Sequence, residues 1–129
     1  MPSLKFASIF LAATCLALPA QAQDGDPAAG KKVFNKCRAC HDAENAKNKV
    51  GPHLVGVVGR PAASVEGYNY STNMKELAAG GLVWDEAKLA QYLANPKDLV
   101  PKGKMAFPGL KKEEDIANVI AYLKADPKP

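Results

Sequence analysis

The feature that most constrains this chain is the segment Cys37-Arg38-Ala39-Cys40-His41, in which a histidine directly follows the second of two closely spaced cysteines. On a helical turn, side chains at positions i, i+3 and i+4 lie on one face. Both thiols can therefore add to the two vinyl groups of a haem while the imidazole reaches its iron from the same side. This spacing is typical of a c-type haem attachment site. It predicts one covalently bound haem c, linked through Cys37 and Cys40 and ligated by His41.

Two other kinds of site use closely spaced cysteines. A zinc half-site needs a second pair of cysteines or histidines to complete a tetrahedron. A thioredoxin-like redox pair lies beside a βαβ unit. The chain has only Cys15 as a further cysteine and only His53 as a further histidine, and it shows no alternation of strands and helices. The haem interpretation is therefore favoured over both.

The first 22 residues have the pattern of a secretory signal peptide. Lys5 precedes an apolar stretch from Phe6 to Leu18, and Ala20-Gln21-Ala22 is a small-residue cleavage site. The stretch is shorter than the roughly 20 residues that a membrane-spanning helix needs. We expect cleavage after Ala22, export to the periplasm, and one soluble domain over residues 23–129. An uncleaved anchor and a lipoprotein modified at Cys15 are the alternatives.

The charge balance limits the kinds of partner. The full chain has a formal net charge of +4, and removal of the signal peptide takes away one of its 17 basic residues and none of its 13 acidic ones. A nucleic-acid-binding protein would show a strongly basic face and a recognised binding fold. We therefore expect no nucleic-acid partner.

Apolar periodicity and helix-start signals predict an all-α fold. Asp26 can cap a first helix that has Pro27 in its first position, and the later helices are expected at 73–79, 85–95 and 112–125. The last of these helices has Ile116, Val119, Ile120 and Leu123 at the spacing of one apolar face. The first helix is expected to run to residue 36, and the chain from 96 to 109 is expected to be loop. A long glycine- and proline-rich loop over 42–67 would wrap the edge of a flat cofactor. We expect about four to five helices and long loops around one haem.

The mature chain offers three candidates for the second axial ligand of the iron. Met105 lies in a loop bounded by prolines and glycines, far enough along the chain from His41 to reach the opposite face. Met74 lies in a predicted amphipathic helix, where methionine is more often a core or surface residue. His53 is an isolated loop histidine close to His41. Met105 is the predicted ligand.

The chain resembles class I cytochromes c, especially bacterial cytochrome c2 and mitochondrial cytochrome c, over essentially the whole mature sequence. The resemblance is carried by the haem motif and by eight other segments: Gly30-Lys31-Lys32-Val33-Phe34, Val50-Gly51-Pro52, Gly59-Arg60, Gly67-Tyr68-Asn69-Tyr70, Trp84-Asp85, Tyr92-Leu93-Ala94-Asn95-Pro96-Lys97, Lys104-Met105-Ala106-Phe107-Pro108-Gly109-Leu110-Lys111-Lys112 and Ile120-Ala121-Tyr122-Leu123.

The resemblance implies the axial pair His41 and Met105, and a hydrogen bond from the far ring N–H of His41 to the carbonyl of Pro52. Such a bond fixes the orientation of the imidazole and its basicity.

The resemblance also implies a polar group around a haem propionate. Tyr70 and Trp84 would donate hydrogen bonds to it, with Arg60 nearby, and Tyr92 would approach the sulfur of Met105.

Two departures from the family pattern bear on the site. Lys102-Gly103 stands where the family commonly has Gly-Thr, so the propionate contact of that threonine is lost or replaced. The segment between Tyr70 and Trp84 is slightly longer than in the mitochondrial proteins. The equivalent of their buried asparagine is therefore either Asn73 or Met74.

A haem iron with histidine and methionine ligands favours one-electron transfer over oxygen chemistry. We therefore expect a monomeric electron carrier and not an enzyme. By resemblance its donor is a bc1-type complex, and its acceptor is a reaction centre, an oxidase or a peroxidase. The alternative is a haem sensor or gas-binding protein with a labile sixth ligand. Exposed lysines near the haem edge would steer the carrier to acidic partners: Lys36, Lys49, Lys97, Lys104, Lys111 and Lys112.

Overall fold

A computed structural model describes residues 24–129, and in this part of the chain five helices form and no strand does. The helices are α1 (Pro27–Phe34), α2 (Thr72–Ala79), α3 (Glu86–Ala94), α4 (Pro96–Leu99) and α5 (Glu113–Lys124). The predicted all-α class is confirmed. The predicted signal peptide lies outside the described residues. None of the described helices has the length and apolar character needed to cross a membrane.

Helix α1 begins at a capping hydrogen bond and ends earlier than predicted. The side chain of Asp26 accepts from the backbone N–H of Ala28 at 2.9 Å, and Pro27 occupies the first turn. The expectation that the helix runs to residue 36 is wrong. The backbone tightens into i→i−3 bonds after Phe34, as where Cys37 N–H donates to Phe34 O at 2.8 Å. The haem motif therefore lies on hydrogen-bonded turns that directly follow α1.

Helices α2 and α3 form at the predicted places because each has a side-chain acceptor at its start. Ser71 accepts from the backbone N–H of Met74 at 3.1 Å, and Asp85 accepts from that of Lys88 at 2.7 Å. Such caps satisfy N–H groups that have no partner inside the helix. The two caps fix where α2 and α3 begin and therefore which residues of each helix lie on the same face.

The sequence pattern predicted that the chain after α3 is all loop. This prediction is wrong, because a short helix forms there. Asn95 is extended, with φ −156° and ψ 95°, and Pro96 then starts the short helix α4. The backbone N–H of Val100 closes it by donating to Pro96 O at 2.9 Å. Proline stops a preceding helix, but its fixed φ also suits the first position of a new one. The prediction used only the first of these two properties.

Helices α1 and α5 cross at very short distance. A Cβ at Gly30 would collide with the backbone carbonyl of Asn118, and the rings of Phe34 and Tyr122 lie 5.3 Å apart between centroids. The Asn118 side chain also accepts from the backbone N–H of Asp26 at 2.8 Å. The crossing fixes α5, whose apolar face then forms one wall of the core.

The predicted apolar stripe of α5 is buried. Ile116, Val119, Ile120 and Leu123 are each at most 9% exposed. They recur at the i, i+3, i+4, i+7 spacing of one helical face. The acidic residues of the first turn remain on the outside, where they face the positive end of the helix dipole.

The long loop before α2 folds back on the segment between α2 and α3. Gly59 N–H donates to Trp84 O at 2.7 Å, Trp84 N–H donates to Arg60 O at 2.9 Å, and Ala62 N–H donates to Leu82 O at 2.9 Å. These bonds pair the two segments through one isolated antiparallel bridge, Pro61 with Val83, and make no regular sheet. They also hold Arg60 and Trp84 on the same wall of the interior.

Candidate functional site

A cavity of about 670 Å³ opens between the haem-motif turns, the long loop, the three longer helices after it and the loop that carries Met105. All nine cofactor-binding residues predicted from the sequence line it: Cys37, Cys40, His41, Pro52, Arg60, Tyr70, Trp84, Tyr92 and Met105. The rest of its wall is mainly apolar. A volume of this size lies in the range of small-molecule and cofactor sites.

The imidazole of His41 is held by the loop that follows the motif. Its Nδ1 lies 2.7 Å from the carbonyl oxygen of Pro52. If Nδ1 carries the proton and donates, Nε2 keeps a free lone pair. Burial lowers the pKa of His41, and the charges of Lys49 and Arg60 add to this, while the bond to Pro52 opposes it. A neutral imidazole with a free Nε2 is a suitable metal ligand.

Gly51 is needed beside this imidazole. A Cβ at Gly51 would collide with the ring of His41. The N–H of Gly51 also donates to Cys40 O at 2.8 Å, so the loop is tied back to the haem motif.

Both cysteines of the motif lie on the cavity wall, and no disulfide joins them. Their backbones follow consecutive turns, in which Cys40 N–H and His41 N–H both donate to Cys37 O, at 3.1 Å and 3.0 Å. Burial raises the pKa of Cys37, and the neighbouring Cys40 adds to this, while Lys36 opposes it. No group of three or more metal-binding His, Cys, Asp and Glu side chains occurs within residues 24–129.

Met105 shares the cavity with a second methionine. The hydroxyl of Tyr92 lies 3.9 Å from the sulfur of Met105, and the Tyr92 ring packs against Trp84 at 4.9 Å. Burial raises the pKa of Tyr92 to about 12, with Tyr68 adding to the shift. The hydroxyl is therefore a protonated donor at neutral pH. Met74 also lines the cavity.

The third candidate ligand, His53, lies outside the cavity and makes a different contact. His53 is absent from the cavity wall. Its Nδ1 accepts a hydrogen bond from the backbone N–H of Val55 at 3.2 Å.

A polar corner of the cavity is formed by Arg60 and Tyr70. The Nη1 of Arg60 donates to Val55 O at 3.1 Å, and the hydroxyl of Tyr70 accepts from Val65 N–H at 3.2 Å. Among the described residues, the one buried side-chain nitrogen or oxygen without a hydrogen-bond partner is Arg60 Nε. A buried guanidinium N–H without an acceptor is costly. This corner therefore suits an anionic group brought in by a ligand.

The sequence interpretation missed several lining residues, of which Tyr68 is the clearest. Its hydroxyl donates to Val50 O at 3.1 Å, and its ring meets that of Tyr70 edge to face at 4.8 Å. The segment Gly67-Tyr68-Asn69-Tyr70 had been noted for its resemblance, but only the second tyrosine was assigned a role. The alternation of two aromatic residues there was the usable signal.

The six lysines predicted to dock partners are all exposed. Lys36 and Lys104 lie at the cavity, and the other four do not line it. The ammonium groups of Lys49 and Lys104 donate to backbone carbonyls, those of Arg38 and Asn69, each at 2.6 Å.

Comparisons with known proteins point to one family. The family model for cytochrome c matches residues 27–125. Cytochrome c-554 from Methylosinus trichosporium is 59% identical over 100 residues, which cover 77% of this chain and 74% of that protein. Cytochrome c2 from Afifella marina is 53% identical over 104 residues, which cover 79% and 84%. The structure of cytochrome cH from Methylobacterium extorquens matches with a TM-score of 0.71 at 50% identity, covering 78% of this chain and 98% of that one. The chain therefore belongs to the class I cytochrome c family: it is an electron-carrying protein with covalently bound haem c, and not an enzyme.

Proposed function

We propose that this cytochrome is a periplasmic carrier of single electrons whose haem is linked to Cys37 and Cys40 and ligated by His41 and Met105. The observation that carries the proposal is the convergence of these four side chains on one mainly apolar cavity. The thiols can form the two thioether links, and the imidazole and the methionine sulfur are the two axial donors. Histidine and methionine together favour a raised potential and electron transfer.

The residues of the cavity fit a haem. The apolar wall suits its flat ring, and the unpartnered Arg60 Nε with the Tyr70 hydroxyl suits a propionate. Because Gly51 has no side chain, the imidazole of His41 has the space that it occupies on the cavity wall. When bound, the haem supplies an iron that takes up and releases one electron.

The protein's own groups hold this site ready. Pro52 fixes the imidazole through the bond to Nδ1, which leaves Nε2 free to bind a metal. Tyr92 places a protonated hydroxyl beside the Met105 sulfur. The hydroxyl, as a hydrogen-bond donor, withdraws electron density from the sulfur. Trp84 is buried, at 7% exposure, and packs against Tyr92, so water is kept from this side.

Docking would occur where the cavity meets the surface. Val50 is 75% exposed at the cavity edge and offers a small apolar contact. Lys36 and Lys104 lie at the same edge, and the other four docking lysines are exposed to add to the positive field. Redox encounters use small, transient interfaces whose on-rate rises with charge complementarity. We propose a bc1-type donor, and a reaction centre, an oxidase or a peroxidase as acceptor.

Absorption spectroscopy of two matched variants tests the ligation. The oxidised holoprotein should show the far-red band of methionine bound to ferric haem. Met105→Leu should abolish this band, whereas Met74→Leu, the same change at the other methionine of the cavity, should leave it. A band that survives Met105→Leu would contradict the proposal. An oxidised wild type without the band that binds carbon monoxide after reduction would favour the gas-binding alternative.

Mass spectrometry tests attachment and export. The protein purified from the periplasm should begin at Gln23 and keep its haem under denaturing conditions. A Cys37→Ala variant should keep one thioether and Cys40→Ala the other. A mature mass that includes residues 1–22 would contradict cleavage and support a membrane-tethered carrier.

A further inference from the structure

The loop that carries Met105 is fastened to one other segment of the chain by two hydrogen bonds. Lys102 N–H donates to the side-chain oxygen of Asn73 at 3.0 Å. The ammonium group of Lys104 donates to the backbone carbonyl of Asn69 at 2.6 Å. The two bonds flank Gly103, and the second is made by the residue next to Met105. The acceptors lie just before α2 and in its first turn.

These two bonds differ in what they depend on. Any residue at position 69 supplies a carbonyl, whereas only the Asn73 side chain supplies the acceptor for Lys102 N–H. Gly103 has no side chain with which to hold the loop. Its backbone packs so close to Val100 that an added Cβ would lie 3.0 Å from the Val100 side chain. Position 103 therefore cannot take over the role of Asn73 without displacing Val100.

Asn73 and Met74 divide two tasks between neighbouring positions of α2. Met74 lines the cavity, whereas Asn73 does not line it and bonds to the loop instead. The capping bond from Met74 N–H to Ser71 fixes this first turn. The amide of Asn73 is therefore a fixed point against which the loop is set.

We propose that Asn73 is a positioning residue for Met105: its side-chain oxygen holds the backbone at Lys102 and thereby keeps the Met105 sulfur at the haem iron. This inference rests on the ligation proposed above. The amide touches neither the sulfur nor the cavity and acts through the loop backbone. Loss of the bond frees the loop, so an external ligand displaces the methionine more readily.

Imidazole titration of the ferric holoprotein, followed at the far-red methionine band, tests this role. Asn73→Ala should increase the apparent affinity for imidazole about two- to fivefold, as expected for one partly exposed neutral hydrogen bond. Asn73→Asp keeps an oxygen acceptor at the same place and should restore most of the wild-type affinity. Asn95→Ala is the matched control, because Asn95 is exposed, its side chain makes no capping hydrogen bond and it does not line the cavity, so this variant should behave as the wild type.

The outcomes separate this inference from the proposed ligation. A wild type without the methionine band would overturn both. A wild type with the band, and an Asn73→Ala variant with unchanged imidazole affinity, would overturn the positioning role alone. The same holds if Asn73→Ala lowers only the thermal midpoint of unfolding, or if Asn73→Asp is as easily displaced as Asn73→Ala.

Discussion

The crossing of α1 and α5 and the loop that carries Met105 are built in opposite ways. At the crossing, Val119 and Tyr122 are each 1% exposed, and Gly30 lies so close to α5 that no side chain fits. The Met105 loop has no regular structure, and single hydrogen bonds to Asn73 and Asn69 fasten it. Close packing of two helix backbones fixes the crossing, whereas a few polar contacts hold the residues next to Met105.

Stability and redox chemistry should therefore respond to different substitutions. Packed backbones cannot yield, so changes at the crossing should appear in the free energy of unfolding. None of residues 102–105 is buried, so changes there should appear in the spectrum and the reduction potential.

The largest effect is expected from Gly30→Ala. The added Cβ would meet the backbone carbonyl of Asn118, which cannot rotate away. We expect the free energy of unfolding of the holoprotein to fall by about 3 kcal/mol, the upper part of the usual cost of overpacking. Chemical denaturation followed by circular dichroism measures it.

The same substitution at Gly80 is the control for that experiment. A Cβ at Gly80 would lie 3.4 Å from Leu77 O, which is an ordinary contact, and φ there is −77°. Gly80→Ala should change the free energy of unfolding by less than about 0.5 kcal/mol. Equal effects at both positions would contradict the close approach of Gly30 to α5.

The next effect concerns Tyr92 at high pH. Burial raises the pKa of Tyr92 from its ordinary value of 10 to about 12. The unfolded chain therefore loses this proton first, so the stability contributed by the neutral hydroxyl is full below pH 10 and is lost as the pH rises toward 12. Tyr92→Phe should remove that part of the decline. Unfolding midpoints of both proteins over this range measure it, and parallel curves would contradict the buried neutral hydroxyl.

Tyr92→Phe should also lower the reduction potential. The hydroxyl lies 3.9 Å from the Met105 sulfur, and without it a sulfur that ligates the iron, as proposed, would donate more strongly to the oxidised state. An interaction of about 0.5–1 kcal/mol corresponds to about 20–40 mV for one electron. Tyr122→Phe is the matched control, because the Tyr122 hydroxyl bonds to Glu44 at 3.4 Å at the crossing. Redox titration should leave the potential of that variant unchanged; equal shifts would contradict the division.

The positions of most helices were accessible to sequence interpretation, and the polar details of the site were less so. Periodicity predicted the buried stripe of α5 from Ile116 to Leu123, because a 3.6-residue repeat follows from helix geometry alone. The spacing of the haem motif likewise follows from one turn. The bond from Lys102 N–H to Asn73 joins residues far apart in sequence through a backbone group, and no residue pattern encodes it. The start of α4 at Pro96 was missed because proline both ends and begins helices.

Charge at the cavity edge should affect only the encounter with partners. Lys36 is exposed, lines the cavity edge and precedes Cys37. Lys36→Gln should slow the reaction with a bc1-type complex about twofold at low salt, and the difference should vanish as salt is added. Lys124→Gln is the control, because Lys124 is absent from the cavity and pairs with Glu86 at 3.0 Å. Stopped-flow kinetics at several ionic strengths would reveal a generic charge effect if both variants slow equally.

The smallest effect on the free energy of unfolding is expected from an ion pair on the surface of α5. The ion pair of Glu86 and Lys124 links α3 to α5, and its side chains are 58% and 48% exposed. Exposed ion pairs contribute about 0.2–1 kcal/mol. Glu86 also lies in the first turn of α3, where the positive end of the helix dipole stabilises its carboxylate independently of the pair. A double-mutant cycle with Glu86→Gln and Lys124→Gln isolates the pair from that second effect. We expect a coupling of about 0.3 kcal/mol in denaturation measurements. A coupling above about 1 kcal/mol would mean that surface charge, and not only packing, holds α3 against α5.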